Sequence, residues 1–386
     1  MPPTYRAAVL PAPGEPLRVV EVPAPVLQPG AALLRTLFSE VCGTDVHLAH
    51  GRLAGVPYPI IPGHVSVGVI AELRGPVRDV DGAPFHEGDV AAFLDVHETC
   101  GACRACLVDK ETTRCPHRKV YGITYGLADG LLGGWAEAIH LRPGVKLLRL
   151  PHGLSPETYI GGGCGLNTAF HAVERASIRL GDAVVVLGAG PVAQSVAAFA
   201  ALSGASLVVA VGAPDDRLAM IRQMGADETL SIDRLSPEER LERVYALTAR
   251  RGADVVIEAA GVPEAVVQGA ALCRDGGTLV VAGQYTDNGP AVWNVHELLN
   301  RKHLTVKGCW GSDFSHFYKS IRLQARWQDR FPWSAIVTRR FGLDAANDAL
   351  AAVERREVLK AAIDPSLGPT AASGAAGGER AADPQG

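Results

Sequence analysis

"VVVLGAGPVA", residues 184–193, is four apolar residues, a glycine-rich turn and the start of a helical pattern. Val184 to Leu187 read as a buried strand. Gly188, Gly190 and Ala193 follow in the G-x-G-x-x-G/A spacing, and "PVAQSVAAFAALSG" (191–204) continues as a helix. The spacing alone says little, but a strand before it and a helix after it make the context of a dinucleotide-binding turn. Gly188 permits the tight turn. Gly190 lets the backbone approach a pyrophosphate, which then sits at the positive helix end beside Pro191 and Val192. A glycine turn that only packs helix on strand is the other reading.

Outward from this turn the same alternation repeats. "SLVVAVG", "ADVVIEAAG" and "GTLVVAG" read as buried strands, and "DDRLAMIRQMGAD" and "EAVVQGAALCR" as helices between them. Apolar strands alternating with helices predict an α/β Rossmann fold with a doubly wound parallel sheet. An acidic residue that would bind the cofactor ribose is expected roughly 20 positions past the turn. Gly212 holds that place, and the first carboxylates are Asp215 and Asp216. The missing acid lifts the penalty against a 2′-phosphate, yet no basic residue precedes Arg217. NAD and NADP both stay open, with the balance on NAD because no positive phosphate site is visible.

Before residue 155 the texture is different. Short alternating runs such as "YRAAVL", "GAALLRTLF", "IPGHVSVGVIAEL", "GDVAAFL" and "WAEAIHL" are punctuated by Pro and Gly. They predict an irregular, mostly antiparallel β domain. Two domains also suit a chain of 386 residues, which exceeds one ordinary core. We expect a dinucleotide-binding domain over 166–311 and a second domain over 1–165 and 312–365. The Ala/Gly-rich tail, 366–386, cannot bury a core and is expected to be disordered.

Hydrophobic content of 47%, charged content of 20% and a net charge of −4 describe a soluble globular protein. No basic run invites nucleic acid or an anionic membrane. No signal-peptide pattern or membrane-length apolar run is present, so a cytoplasmic location is the expectation.

Cysteine use points to metal. Cys100, Cys103, Cys106 and Cys115 crowd into "CGACRACLVDKETTRC", while Cys42, Cys164, Cys273 and Cys309 are scattered. In a reducing compartment such a cluster reads as metal binding before disulfides. Four thiolates this close can close a tetrahedral zinc shell with no open position, a structural site. Spacing alone leaves an iron–sulfur cluster, or four reduced packing cysteines, as alternatives.

Three further segments, "VCGTDVHLAH" (41–50), "PGHVSVG" (62–68) and "GGGCGLNTAFHAV" (161–173), are unremarkable one by one. Together with the cysteine lobe and the dinucleotide turn they resemble the zinc-dependent medium-chain dehydrogenase/reductase family, the alcohol dehydrogenases. The resemblance runs from about residue 5 to 365 and includes "GGWAEAIHL", "LLNRKHLTVKGCWGS" and "KAAIDP". It implies a GroES-like catalytic domain carrying a zinc lobe at about 95–120. It also implies two zinc ions per chain. Cys42, His64 and Cys164 match the ligands of a catalytic zinc with its fourth position open, and the four clustered cysteines match the structural zinc, with one extra residue before Cys115. Asp45 matches the carboxylate that orients His64, and Thr44 and His47 the proton relay. Arg217 would touch the adenosine ribose and Lys360 the pyrophosphate. Trp135 falls near the substrate pocket or in the core. His50, His86, His97 and His117 have no motif placement, and His171 reads as packing.

The implied activity is hydride transfer between a small-molecule alcohol, or its carbonyl product, and a nicotinamide cofactor, in a homodimer or homotetramer. A relative specialised for conjugated C=C or iminium reduction is the second enzymatic reading; the intact ligand and relay residues count against it, and against a non-catalytic binding protein. One position departs from the pattern. The residue after His64 is glutamate in most relatives, where its carboxylate lies behind the zinc, but here it is Val65. On that basis a negative group near the metal is expected to be missing, with a more electrophilic zinc and slower ligand exchange.

Overall fold

The structure is a computed structural model and describes residues 3–368 together with 373 and 374. Apart from that pair, the tail beyond residue 368 lies outside the described residues. The first region runs β1 (Thr4–Val9), β2 (Arg18–Pro23), β3 (Ala31–Val41), α1 (Gly43–Ala49), β4 (Ser66–Arg74) and β5 (Val90–Phe93). A lobe follows with β6 (Val96–Glu98), α2 (Arg104–Leu107) and β7 (Lys119–Val120). Then come β8 (Ala138–Leu141), β9 (Leu147–Arg149) and α3 (Pro156–Ala176). The second region alternates β10 (Ala183–Leu187), α4 (Pro191–Leu202), β11 (Leu207–Gly212), α5 (Asp215–Gln223) and β12 (Glu228–Ser231). It continues with α6 (Pro237–Leu247), β13 (Ala253–Glu258), α7 (Pro263–Leu272), β14 (Cys273–Val281) and β15 (Thr305–Gly308). The chain closes with α8 (Phe314–Trp327), β16 (Val337–Phe341), α9 (Ala346–Glu354), β17 (Lys360–Ile363) and β18 (Ser373–Gly374).

Strands β12-β11-β10-β13-β14-β15 form one sheet in that order, every pair parallel. The order reverses outward from β10 and β13, as in a doubly wound Rossmann sheet. All five residues of β10 are buried, because helices cover both faces of such a sheet. The other large sheet runs β18-β16-β17-β3-β4-β5-β9, with β8 also on β3. It is mostly antiparallel and draws strands from both ends of the chain, β17 lying against β3.

Helix α3 links the two sheets. Ser155 caps it and Pro156 occupies its first turn, where a missing N–H costs nothing. It breaks at Gly163, whose φ of 53° and ψ of −142° are not helical. The largest core cluster runs across the junction, joining Val65 and Val67 of the first region to Leu166, Val184 and Val196. The break therefore sits where the two regions share a core, one residue before Cys164.

Candidate metal centre and active site

Helix α1 begins as a capping box made from unusual parts. The Cys42 Sγ accepts the Thr44 amide at 3.3 Å, while the Asp45 Oδ2 accepts the Cys42 amide at 2.9 Å. "CGTD" thus has the spacing of a Ser-x-x-Glu cap, with a cysteine as the cap residue. The sulfur is held at the helix start and aimed at His64, whose Nε2 lies 3.7 Å away. Gly63 makes the turn that delivers His64. Its φ is +90°, and a Cβ there would meet the Trp135 Cδ1 at 2.4 Å. Cys164 arrives from the break in α3.

Donor atoms of Cys42, His64 and Cys164 all lie within 4.8 Å of one another. Burial and neighbouring charge act on all three groups. A hydrogen bond from Cys164, with help from the His64 charge, holds the Cys42 thiol well below its ordinary value. Burial opposes a charged His64, but the facing Cys42 and Asp45 raise it well above the usual histidine range. The Cys164 thiol is raised by its bond to Cys42 and by burial. A divalent ion bound by these three groups would take the place of the protons on the imidazole and the Cys164 thiol. Two thiolates and an imidazole are the donors of an open zinc site, so the residues present fit that metal.

Asp45 faces the far side of His64, its Oδ1 3.9 Å from Nδ1. That exceeds a hydrogen bond, and Oδ1 instead takes the Gly63 amide at 3.4 Å. Asp45 therefore holds the two segments that carry Cys42 and His64 as well as facing the imidazole. Thr44 and His47 share one helix and line one cavity of about 320 Å³ with the three candidate ligands. The His47 Nε2 lies 3.3 Å from the Thr286 Oγ1, on the loop after β14. Burial, with Arg52, lowers the His47 pKa below the histidine norm.

Cys100, Cys103, Cys106 and Cys115 also bring their sulfurs within 4.8 Å of one another. The Cys103 amide donates to the Cys100 Sγ and the Cys100 amide to the Cys115 Sγ, each at 3.3 Å. The Ala102 amide leads a set of donors that lowers the Cys100 thiol to about 6. This is the donor set of a closed site, separate from the first.

The dinucleotide turn borders a cleft of about 810 Å³ lined by Gly188, Gly190, Gly212 and Arg217. A Cβ on Gly188 would lie 2.9 Å from the Ala259 carbonyl at a φ of +122°, whereas one on Gly190 would meet nothing within 4 Å. Gly188 therefore serves the turn, while Gly190 leaves room for a ligand. Gly212 is required by contact, since its Cβ would press on Ala189 at 2.9 Å. The Arg217 guanidinium donates to the Val358 carbonyl at 2.6 Å. Pro191 and Val192 line the cavity of the metal cluster, so the start of α4 connects the two spaces.

Two expectations, for Lys360 and for the charge behind the metal ligands, need correction, and Trp135 takes the second of its two readings. Lys360 does not face the dinucleotide cleft. It is 1% exposed, and its Nζ is spent on the Glu40 carboxylate at 2.9 Å and on the Ile160 and Gly162 carbonyls. A lysine in the all-buried strand β17 must pair internally. Trp135 is core, 1% exposed with its Nε1 on the Glu40 carbonyl. Nor is a negative group missing behind the metal ligands: Glu40, 1% exposed, puts Oε1 3.5 Å from the Cys164 Sγ. Among the unplaced histidines, His97 is buried against the Tyr125 hydroxyl, and the His171 Nδ1 lies 2.7 Å from the Gly311 carbonyl.

The sequence reading also missed part of the cavity wall. Trp310 and Tyr285 stack there, rings 9° apart in plane, and the Arg114 and Arg118 guanidinium groups lie over Trp310 at 4.9 and 5.1 Å. "GCWGS" was the only sequence hint of this wall.

Two family models and several known proteins match the chain. The model of the alcohol dehydrogenase GroES-like domain matches residues 28–152, and that of the zinc-binding dehydrogenases matches 191–326. The chain is similar to the 5-exo-hydroxycamphor dehydrogenase of Pseudomonas putida. The two are 34% identical over 349 residues, 90% of this chain and 95% of that one. An alcohol dehydrogenase structure from Thermotoga maritima superposes with a TM-score of 0.90 at 35% identity, covering 94% of this chain and all of that one. A zinc-binding dehydrogenase from Sinorhizobium meliloti, solved with NADP, gives 0.82 at 25% identity, over 94% of this chain and 100% of that one.

Proposed function

The chain belongs to the zinc-dependent medium-chain alcohol dehydrogenases, and from that premise we propose that Cys42, His64 and Cys164 hold its catalytic zinc. The protein is an oxidoreductase acting between an alcohol or carbonyl and a nicotinamide cofactor. The observation that carries the residue assignment is the convergence of three donor atoms within 4.8 Å on a cavity that reaches the start of α4. Cys100, Cys103, Cys106 and Cys115 hold a second, closed zinc.

When bound, the zinc supplies Lewis acidity to the substrate oxygen and the nicotinamide accepts or returns the hydride. The protein does the rest. Cys42, His64 and Cys164 leave one side open to the cavity, which orients the substrate oxygen toward them. The Thr44 hydroxyl, two residues from Cys42 on α1, accepts the alcohol proton as it releases its own, and His47, farther along α1, is the group that takes up the released proton. Burial keeps His47 neutral and able to accept that proton near pH 7. Val65, Val96, Ile123, Tyr285 and Trp310 make the wall apolar and limit water.

The substrate we propose is a secondary, cyclic alcohol. The flat Tyr285–Trp310 stack and the resemblance to a hydroxycamphor dehydrogenase support it. NAD is the proposed cofactor. Arg234 pairs with Asp215 and Arg217 donates to the Val358 carbonyl, so each cation already has a partner that a 2′-phosphate would have to share, which supports NAD. A second copy of the chain is the proposed partner, supported by the open edge of β15 and the exposed Val292 and Val295 nearby. No described helix is long and apolar enough to cross a membrane.

The deciding experiment is a panel of primary, secondary and cyclic alcohols with NAD and with NADP, followed by nicotinamide absorbance, beside metal analysis. Oxidation of cyclic secondary alcohols with NAD by protein holding two zinc per chain is the expected result. Turnover in zinc-free protein would overturn the metal assignment.

A further inference from the structure

Glu40 and Lys360 form a fully buried ion pair that no assigned role uses. Each is 1% exposed, and the charged atoms are 2.9 Å apart. Removing two charges from water is expensive and leaves little or no net stability, so the pair calls for a reason other than fold strength. Its surroundings supply one, because every side-chain bond the two residues make beyond each other ends on the segment that carries Cys164.

We propose that the Glu40–Lys360 pair is the positioning device of the catalytic metal centre, clamping the Gly161-Gly162-Gly163-Cys164 turn from both sides so that the Cys164 sulfur is presented to the metal. This rests on the zinc reading of Cys42, His64 and Cys164. Lys360 grips the turn from before the cysteine, its Nζ donating to the Ile160 carbonyl at 3.1 Å and the Gly162 carbonyl at 3.0 Å. Glu40 grips it at the cysteine itself. Its Oε2 accepts the Cys164 amide at 2.7 Å and its Oε1 lies 3.5 Å from Sγ.

The glycines record how tight the clamp is. A Cβ on Gly163 would fall 1.9 Å from the Glu40 Oε2 and 2.7 Å from the Lys360 Nζ, and the residue has a φ of +53°. Only glycine lets the backbone turn there with the ion pair pressed against it. Glu40 is fixed in its turn. Its amide donates to the Val65 carbonyl at 2.9 Å and its carbonyl accepts the Trp135 indole at 3.0 Å. Strand β17 brings Lys360 alongside, two residues from Ala362, the partner of Glu40 in register. Two strands, β3 and β17, and a broken helix thus converge on the Cys164 turn. The carboxylate also places negative charge behind that sulfur, which makes Cys164 a stronger electron donor to a bound cation.

The test is the double variant Glu40→Leu/Lys360→Met, which replaces the pair by apolar groups of similar size and so is expected to keep the fold. Metal retention is followed by competition with a chromophoric chelator, and in cobalt-substituted protein by the sulfur-to-cobalt absorption band. The four-cysteine lobe is the internal control. Wild type should release two metals in two phases. In the double variant the catalytic phase should come about ten- to a hundredfold more readily, the usual scale for groups that orient metal ligands. The lobe phase and the melting temperature should stay as in wild type. Glu40→Gln keeps an acceptor for the Cys164 amide but no charge, and should fall between the two.

Wild-type retention of the catalytic metal in either folded variant overturns the positioning role. Equal weakening of both phases, with a lower melting temperature, overturns it too, since the pair would then serve the fold alone. Absence of metal from Cys42, His64 and Cys164 in wild type would overturn the zinc reading itself, a result separable from the first two.

Discussion

Glu40, near the end of β3, and Val65, the residue before β4, are backbone partners, the Glu40 amide donating to the Val65 carbonyl at 2.9 Å, and both line the cavity of the metal cluster. The carboxylate absent after His64 therefore stands on the neighbouring strand. Val65 is 6% exposed and packs in the core shared by the two regions. Val65→Glu would thus bury a second carboxylate next to the first. A buried acid left unpaired costs about 1–3 kcal/mol or more. We expect a lower melting temperature and no gain in turnover, measured by thermal denaturation and steady-state kinetics. A faster enzyme of unchanged stability would show that the site was short of negative charge after all.

Cys42→Ser should separate the two metal sites. Metal content is expected to fall from two zinc per chain to one, because the lobe does not depend on α1. Loss of a Lewis acid worth several kcal/mol implies a drop in turnover of about a thousandfold or more. Elemental analysis and a dehydrogenase assay on the same sample check both halves.

Cys106→Ser addresses the lobe. A structural zinc contributes folding energy directly, so the melting temperature should fall while the catalytic zinc stays. The lobe also supports the substrate wall, through Arg114 and Arg118 over Trp310. KM for the alcohol should therefore rise more than kcat falls, at a temperature where the variant is folded.

How much of this was legible in the sequence depended on distance along the chain. The dinucleotide turn and the four-cysteine lobe are local, so spacing and flanking pattern suffice to find them. Cys42, His64 and Cys164 are scattered, and only resemblance joins them. Glu40 carried no signal at all, because its importance comes from the register of β3 against β4 and β17. Lys360 failed for a related reason. A lone lysine in "KAAID" reads as a cation for phosphate until the sheet closes over it and Glu40 appears 2.9 Å away. Trp310 and Tyr285 lie after β15 and β14 in sequence, where loop geometry decides which aromatic ring lines a cavity.

His47 gives the pH dependence its sign. Its pKa lies below the ordinary value near 6.5, chiefly through burial. The neutral, proton-accepting form is therefore the one present at and above that value, and alcohol oxidation should decline only as the pH falls below it. The same shift makes protonation costlier in the folded state than in the unfolded one. The stability His47 contributes is thus present above pH 6.5 and lost as the pH drops. His47→Gln should lower oxidation by about a hundredfold, the lower end for a proton-transfer group, and remove that acid limb. A pH–rate profile of wild type and variant checks it, and an unchanged acid limb in the variant would assign it to another group.

The two motif glycines should part company on substitution. Gly188→Ala forces a side chain into a φ of +122° and to 2.9 Å from the Ala259 carbonyl, a backbone strain of about 1–3 kcal/mol. It should lower the melting temperature with or without cofactor. Gly190→Ala meets nothing within 4 Å, so the free protein should melt as wild type does. The new methyl group would instead occupy space that a pyrophosphate needs at the start of α4. Dinucleotide affinity should then fall about tenfold, 1.4 kcal/mol, and the melting-temperature rise produced by NAD should shrink accordingly. Because the two glycines lie two residues apart in one turn, the contrast isolates the ligand from the fold. Stability loss in Gly190→Ala, or undiminished NAD binding, would mean that the open space beside Gly190 is not where the dinucleotide lies.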